Sequence, residues 1–585
     1  MKRRHRPALL LLALAVAGCG GGSQPEPPPV IFWFRGEPST IDEGGLTRLV
    51  FHTESATSLV IDHGVGNGGL QYDFHVSPRE TTTYTLTAKG PGGTATASAT
   101  VTVVPRPPLV LEPACSGPGC GVAGPTLFSG SGTGVWRFVN RTTVSQHLDV
   151  AIDGVLPTNE VVLLVSNPST RMTAGTDWPA LDPAVTPVSL EPAGPGPAPV
   201  AAIAGTPPVG TIRTWIETGT QPLVSHPAAV RAACPLPDGR QLVLWVALAS
   251  AASGSFGDDD LAWYQATFCG ASGGAARAFG LLGEPWGPGA DRYGNVIHET
   301  AGAPRDVDLV FVEDVGQDWL AYFEEGSVFL PGLYDSNQAL AIFVNAPWIH
   351  LDPSVVPGGR VLTTAVVIHQ LAAMVDFYRH RVELGDFDSP WLAEMKARMA
   401  LELILPVVTS ERDPIFAESW VADYLTSTSP VPLDLSGVPV PTAPQMIGAF
   451  GAFLARGYGA GFLTAIQSCT TVFGVDCLQQ AIVAAGGGGF ADEFARFGAS
   501  VFALIPPGGA PSGYGFPTMT RDGYALGSID LTGQESRRVQ RSDWGYYMPP
   551  LSHSFFAEPI GPGRTTYRRT GVPVPAGTTL LVVVR

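Results

Sequence analysis

With 585 residues the chain exceeds what one hydrophobic core organises, about 250–300 residues, so at least two domains are expected. A formal net charge of −17 and a pI near 5.0 exclude DNA or RNA as the partner, because phosphate binding depends on Lys and Arg neutralising charge. The 7 cysteines point to an oxidising compartment.

The chain opens on Met1-Lys-Arg-Arg-His-Arg6, followed by the uncharged, Leu- and Ala-rich run Ala8 to Val16. That run is shorter than the roughly 20 residues a membrane crossing needs, so residues 1–18 read as a signal peptide rather than a retained helix. Val16-Ala17-Gly18-Cys19 resembles the lipobox of bacterial lipoproteins. The resemblance implies acylation of Cys19 and export, with the membrane as partner through the lipid. Gly20, where an aspartate would imply inner-membrane retention, implies the outer membrane of the cell envelope. Residues 19–29, rich in Gly and Pro, read as a flexible tether.

Setting Cys19 aside leaves six cysteines, an even number. Many connectivities are open, and pairing between sequence neighbours is the simplest: Cys115 with Cys120, Cys234 with Cys269, Cys469 with Cys477. Zinc binding by these thiols is the rival reading, and no CxxC spacing supports it.

Residues 30–104 alternate short β-rich runs, Ile31–Phe34, Leu46–Thr53, Ser58–Asp62, Thr82–Lys89 and Thr94–Val104, with Gly, Pro and Asp turns. This predicts a β-sandwich. The stretch Thr81–Ala88, between the Ser77-Pro78 turn and Gly92-Gly93, resembles the closing strands of bacterial immunoglobulin-like domains, which act as spacers or adhesive modules. A second β-rich domain is expected over 110–270, with strands at Gly134–Val139, Glu160–Val165 and Gln241–Val246 and a Pro/Ala-rich loop over Asp182–Pro208. Longer helical patterns fill 275–505, and β character returns over 520–585, ending in Thr578–Arg585. The fold class expected is multidomain α+β.

The chemistry concentrates in two predicted helices. Val361–Val382 has neither Gly nor Pro and is apolar nearly all round in its first half, as for an element buried at the centre of a domain; the next helix begins at Pro390. The first carries His369-Gln370-Leu371-Ala372-Ala373 and the second Pro390-Trp391-Leu392-Ala393-Glu394. The pair resembles zinc metallopeptidases of the hyicolysin type, whose first helix bears HExxH and whose second bears a Trp-Leu-x-Glu segment. Flanking stretches follow the same order: Arg292–Asn295, Asp306–Phe311, Trp319–Phe323, Asp335–Asn337 and Ala341–Val344 upstream, Tyr458–Leu463 and Phe490–Phe502 downstream.

The resemblance implies a domain of this type over 275–505, with His369 and Glu394 in ligand positions, Gln370 in the general-base position and Ala373 in the second-histidine position. Histidines four apart share one helical face and reach one zinc, a glutamate completes the set, and water takes the open site. The acid after the first histidine takes the water's proton. Glutamine has no proton acceptor that titrates near neutrality, a loss of about 10²- to 10⁴-fold. Alanine has no ligand atom, so two protein donors remain where catalytic zinc has three. Zinc is therefore expected to bind weakly or not at all. His380, eleven residues on, lies roughly 16 Å further along the axis and cannot share an ion with His369; His350 precedes the helix and could fold back.

Other patterns are weaker. Asp258-Asp-Asp260 lacks the alternation of a calcium loop, no GK[ST] follows Gly486–Gly489, no GxSxG occurs, and Asn140-Arg-Thr142 is a sequon. Three functional readings stand: a surface lipoprotein whose metallopeptidase-like domain has lost hydrolysis and serves binding or scaffolding through a protein or peptide ligand; a working zinc peptidase with unusual ligands; and an adhesin or envelope spacer built on the β domains.

Overall fold

The computed structural model describes residues 28–42, 46–66, 73–104, 110–169, 205–217, 224–299, 304–315, 319–330, 336–351, 359–385, 389–409, 415–426, 443–470, 474–540 and 548–585. The leader, Cys19 and most of the tether lie outside them, as does nearly all of the Asp182–Pro208 loop. The chain divides into two compact units, residues 1–108 and 109–585.

Among its described residues the first unit has seven strands: β1 (Val30–Glu37), β2 (Thr40–Asp42), β3 (Thr47–Glu54), β4 (Ser58–Ile61), β5 (Asp73–Val76), β6 (Thr82–Gly90) and β7 (Gly93–Val104). They form two sheets, β1-β3-β5 and β2-β7-β6-β4. Period-2 alternation explains why: in β6, Tyr84, Leu86 and Ala88 turn inward while the intervening threonines face out. Together with Phe34, Leu49, Phe51 and Val101 they make one core between the sheets.

The second unit begins with β8 (Glu112–Pro113), β9 (Val122–Gly124), β10 (Leu127–Phe128), β11 (Gly134–Val139), β12 (Gln146–Asp153) and β13 (Glu160–Asn167), then β14 (Ile212–Glu217), β15 (Val224–Pro235) and β16 (Gln241–Ala247). Helices α1 (Leu248–Ser253), α2 (Asp258–Phe268) and α3 (Gly274–Leu282) precede β17 (Val307–Val312), β18 (Ala321–Phe323) and β19 (Leu340–Asn345). The helical region holds α4 (Gly359–Asp376, continued by a π-helical turn Phe377–Glu383), α5 (Pro390–Val408), α6 (Ile415–Leu425), α7 (Ala443–Tyr458), α8 (Ala460–Gln467), α9 (Gly474–Ala484) and α10 (Phe490–Phe502). The hairpin of β20 (Met519–Arg521) and β21 (Tyr524–Leu526) turns on Asp522 and Gly523, both at positive φ, as a two-residue turn of the primed type requires. The chain closes with β22 (Ser552–Pro559), β23 (Thr566–Val574) and β24 (Thr579–Val584).

A six-stranded sheet, β14-β15-β16-β17-β19-β18, carries the helices. β16, β17 and β19 run parallel, and β18 is an antiparallel edge beside β19. One face sends Leu244, Leu309 and Ile342 into the helical core; the other holds Trp215, Trp245, Val310 and Phe343. A second, five-stranded sheet, β22-β13-β24-β11-β8, faces the four-stranded β23-β12-β10-β9. β24 sits in its middle, so that Val582 lies opposite Trp136 of β11 on one side and Leu163 of β13 on the other. Leu163 and Val582 point into the sandwich, while Leu164 and Leu581 point into the helical core. Burial on both faces is why 161–165 and 580–584 read as unbroken apolar runs rather than alternating ones.

This topology crosses both boundaries expected between 110–270, 275–505 and 520–585. β16 from the 110–270 segment pairs with β17 from the 275–505 segment, and strands from 110–270 and 520–585 share one sheet. Composition marks where strands occur but carries no signal for which distant strand each one meets.

A candidate metal centre rebuilt from hydrogen bonds

α4 is the central helix of the second unit. Its stretch Gly359–Glu383 is long and apolar enough to cross a membrane, yet 67% of its apolar window is buried within the protein, as befits a core helix. Val361, Ala365, Ile368, Leu371, Ala372 and Val375 are buried. Leu362, Val366, His369, Gln370, Ala373 and Asp376 remain partly open and fall on one stripe at helical spacing. Two buried threonines fix the helix against α2: Tyr264 shares a 2.6 Å hydrogen bond with Thr363, and the Trp263 indole donates to Thr364 at 3.1 Å.

α5 starts at Pro390, whose missing N–H costs nothing at the first helical position. It lays Glu394 against the open stripe of α4, and the geometry there is specific. His369 Nε2 lies 3.0 Å from Glu394 Oε2, and Arg398 Nε donates to Glu394 Oε1 at 2.6 Å. The Arg398 guanidinium in turn sits 4.8 Å over the Trp420 ring of α6. On the other side, the backbone N–H of Phe323 in edge strand β18 donates to Gln370 Oε1 at 3.0 Å, and Gln370 Nε2 stands 3.4 Å from His369 Nδ1. Burial pushes the Glu394 carboxyl up, but the hydrogen bond to His369 and the Arg398 guanidinium outweigh it and hold it below the usual carboxylate range.

Of the residues expected at the site, His369, Gln370 and Glu394 come together. Ala373 shares their stripe and contributes a methyl group. His380 and His350 do not join them. His380 Nε2 accepts from the buried Lys396 ammonium at 3.0 Å, and Lys396 also pairs with Asp376, tying α5 to the end of α4. His350 bonds Asp260 at 2.9 Å. Among the described residues no group of three or more His, Cys, Asp or Glu side chains is placed to hold a metal. Two donors, one of them already shared with a guanidinium, do not fit a catalytic zinc, which takes three.

The sequence assigns no site role to Phe323, Arg398 or Trp420. Arg398 was findable, since it stands four residues after Glu394 in a helix, the spacing at which opposite charges meet. A backbone donor from β18 and the Trp420 ring carry no such signal.

The lesser candidates resolve structurally. Asp260 is buried and accepts from the Gly257 N–H at 2.8 Å, from Arg360 at 2.8 Å and from His350, so it serves the start of α2. The Gly486–Gly489 loop leads into α10, whose first N–H, on Phe490, is taken by Gln479 at 2.7 Å. Asn140 is buried, its amide donating to the Val144 and Val574 carbonyls. Disulfides join Cys115 to Cys120, Cys234 to Cys269 and Cys469 to Cys477.

A mixed sheet with an antiparallel edge, covered by a central helix whose His369 meets a glutamate from the next helix, defines a metallopeptidase-type frame. Residues 224–585, more than half of the chain, match the family described as Peptidase M30, and the chain belongs to that family. Residues 113–174 match a domain of unknown function (DUF8571). No curated protein matches. Among solved structures, the immunoglobulin domains 1–5 of Sidekick-1 are 17% identical, covering 14% of this chain and 20% of that chain at a TM-score of 0.12. A titin M10–obscurin-like 1 Ig complex is 18% identical over 14% of this chain and 96% of that one, at 0.11. Carbohydrate-binding modules of a β-sandwich superfamily are 12% identical over 38% and 77%, at 0.14. Scores this low carry no argument about activity.

Proposed function

We propose that this chain is an exported lipoprotein of the bacterial envelope, anchored through Cys19, whose peptidase-family domain no longer hydrolyses peptides and serves instead to bind or scaffold a protein partner. The first unit, read as immunoglobulin-like, acts as its spacer. The observation that supports loss of catalysis is the pairing at the heart of the second unit. Gln370 stands where the general base belongs, Ala373 where a ligand belongs, and His369 is bonded to Glu394. With no carboxylate at 370, no group there can take a proton from an attacking water.

The test is direct. Protein purified from zinc-supplemented cells is expected to carry no stoichiometric zinc and to leave casein uncut. Bound zinc together with cleavage would overturn the reading in favour of an active peptidase with unusual ligands, the alternative that the retained His369–Glu394 pair favours. Changing Gln370→Glu and Ala373→His together is expected to create a zinc site within the same fold. Lipidation is tested separately: Cys19→Ala is expected to release the protein from membranes on fractionation.

A further inference from the structure

We propose that Gln370 is a positioning residue that closes the site to metal by turning the His369 lone pair away from it, independently of the ligand lost at Ala373. The inference rests on the loss-of-zinc reading and adds a second, separable cause.

The geometry fixes the amide's orientation. Phe323 offers a backbone N–H, which only an acceptor can meet, and Gln370 Oε1 lies 3.0 Å from it. The amide nitrogen is then the end that faces His369 Nδ1, at 3.4 Å. An amide nitrogen only donates, so Nδ1 is the bare nitrogen of a neutral ring and Nε2 carries the hydrogen. That hydrogen points at Glu394 Oε2, 3.0 Å away. Where a metal would need a lone pair, the ring presents an N–H.

Zinc-binding histidines have the opposite polarity: the far ring nitrogen donates its hydrogen to an acceptor, leaving the near one free for the metal. A carboxylate at 370 has no hydrogen to give. One oxygen would accept from Phe323 and the other would demand a proton on Nδ1, turning the lone pair to Nε2. Exchanging one carboxylate oxygen for an amide NH2 therefore inverts the ring while leaving the tie between α4 and the edge strand β18 in place.

Two measurements on the full chain decide this. With ring-¹⁵N-labelled histidine, NMR of the zinc-free protein is expected to show His369 with an unprotonated Nδ1 and a protonated Nε2. Gln370→Ala is expected to shift His369 toward a mixture of tautomers while leaving His553 unchanged, a signature that a purely structural contact would not move. A protonated Nδ1 in the wild-type protein overturns the proposal. In equilibrium dialysis against Zn(II) alone, Ala373→His by itself is expected to bind weakly. Gln370→Ala/Ala373→His, which removes the opposing donor without adding charge, is expected to bind at least ~10-fold tighter, the usual scale of outer-shell effects. Equal affinities overturn the proposal. Stoichiometric zinc in the wild-type protein would instead sink the loss-of-zinc reading, and the tautomer of the zinc-stripped chain would still decide the role of Gln370.

Discussion

Gly498 of α10 has no side chain because a ring occupies the space: a Cβ there would meet His553 at 2.4 Å. That histidine is buried, its Nδ1 accepting from Tyr424 at 2.9 Å and its Nε2 donating to the Phe494 carbonyl at 2.8 Å. Gly498→Ala is expected to lower stability by about 1–3 kcal/mol in urea melts, the cost of overpacking a filled core. Burial pushes the His553 imidazole down to about 3, against a weaker upward pull from the Phe494 carbonyl. Its folded pKa lies below its unfolded one, so the unfolded chain takes up the proton first. The stability this neutral ring lends is complete above about 6.5 and falls by about 1.4 kcal/mol per pH unit down toward about 3. Melts between pH 7 and pH 4 are expected to show that slope, and His553→Phe to flatten it even as it lowers stability at pH 7. None of this was legible in the sequence, where His553 lies in an unremarkable Ser-His-Ser and its partners are roughly 60 and 130 residues away. His369 and Glu394, by contrast, were legible because each sits in a short local pattern, Trp391-Leu392 before one and a helix free of Gly and Pro around the other.

Elements with a strong local period could be read from sequence; those defined by their partners could not. The alternation of β6 and β7 and the largely apolar, Gly- and Pro-free stretch of α4 from Val361 are local properties and correspond to observed elements. The π-helical turn Phe377–Glu383 that continues α4 is not local in origin, since His380 and Asp376 meet Lys396 from α5 there. β18 has only three residues, too few for periodicity, yet it supplies the N–H that orients Gln370. The Cys234–Cys269 disulfide links the end of β15 to the end of α2 across 35 residues. Removing it by Cys234→Ala/Cys269→Ala is expected to cost about 2–4 kcal/mol, chiefly by freeing the unfolded chain, and to lower the melting temperature accordingly. An unchanged melting temperature on reduction would show that the loop is held by packing alone.

The two compact units predict two transitions on heating. A chain starting at residue 109 is expected to retain the full near-UV signal and melting temperature of the second unit; loss of either would mean the units depend on each other. A chain ending at residue 578, lacking only β24, is expected not to fold its second unit at all. It would remove the middle strand of the five-stranded sheet and leave β11 and β13 without a shared neighbour. The central place of β24 also sets a timetable. Strands made early, from residue 112 onward, must wait for residues 579–584 before their sheet can close, so the second unit cannot mature in step with synthesis. Nascent chains stalled before residue 579 should remain protease-sensitive throughout that unit, a trait that would leave them open to chaperones until β24 is made.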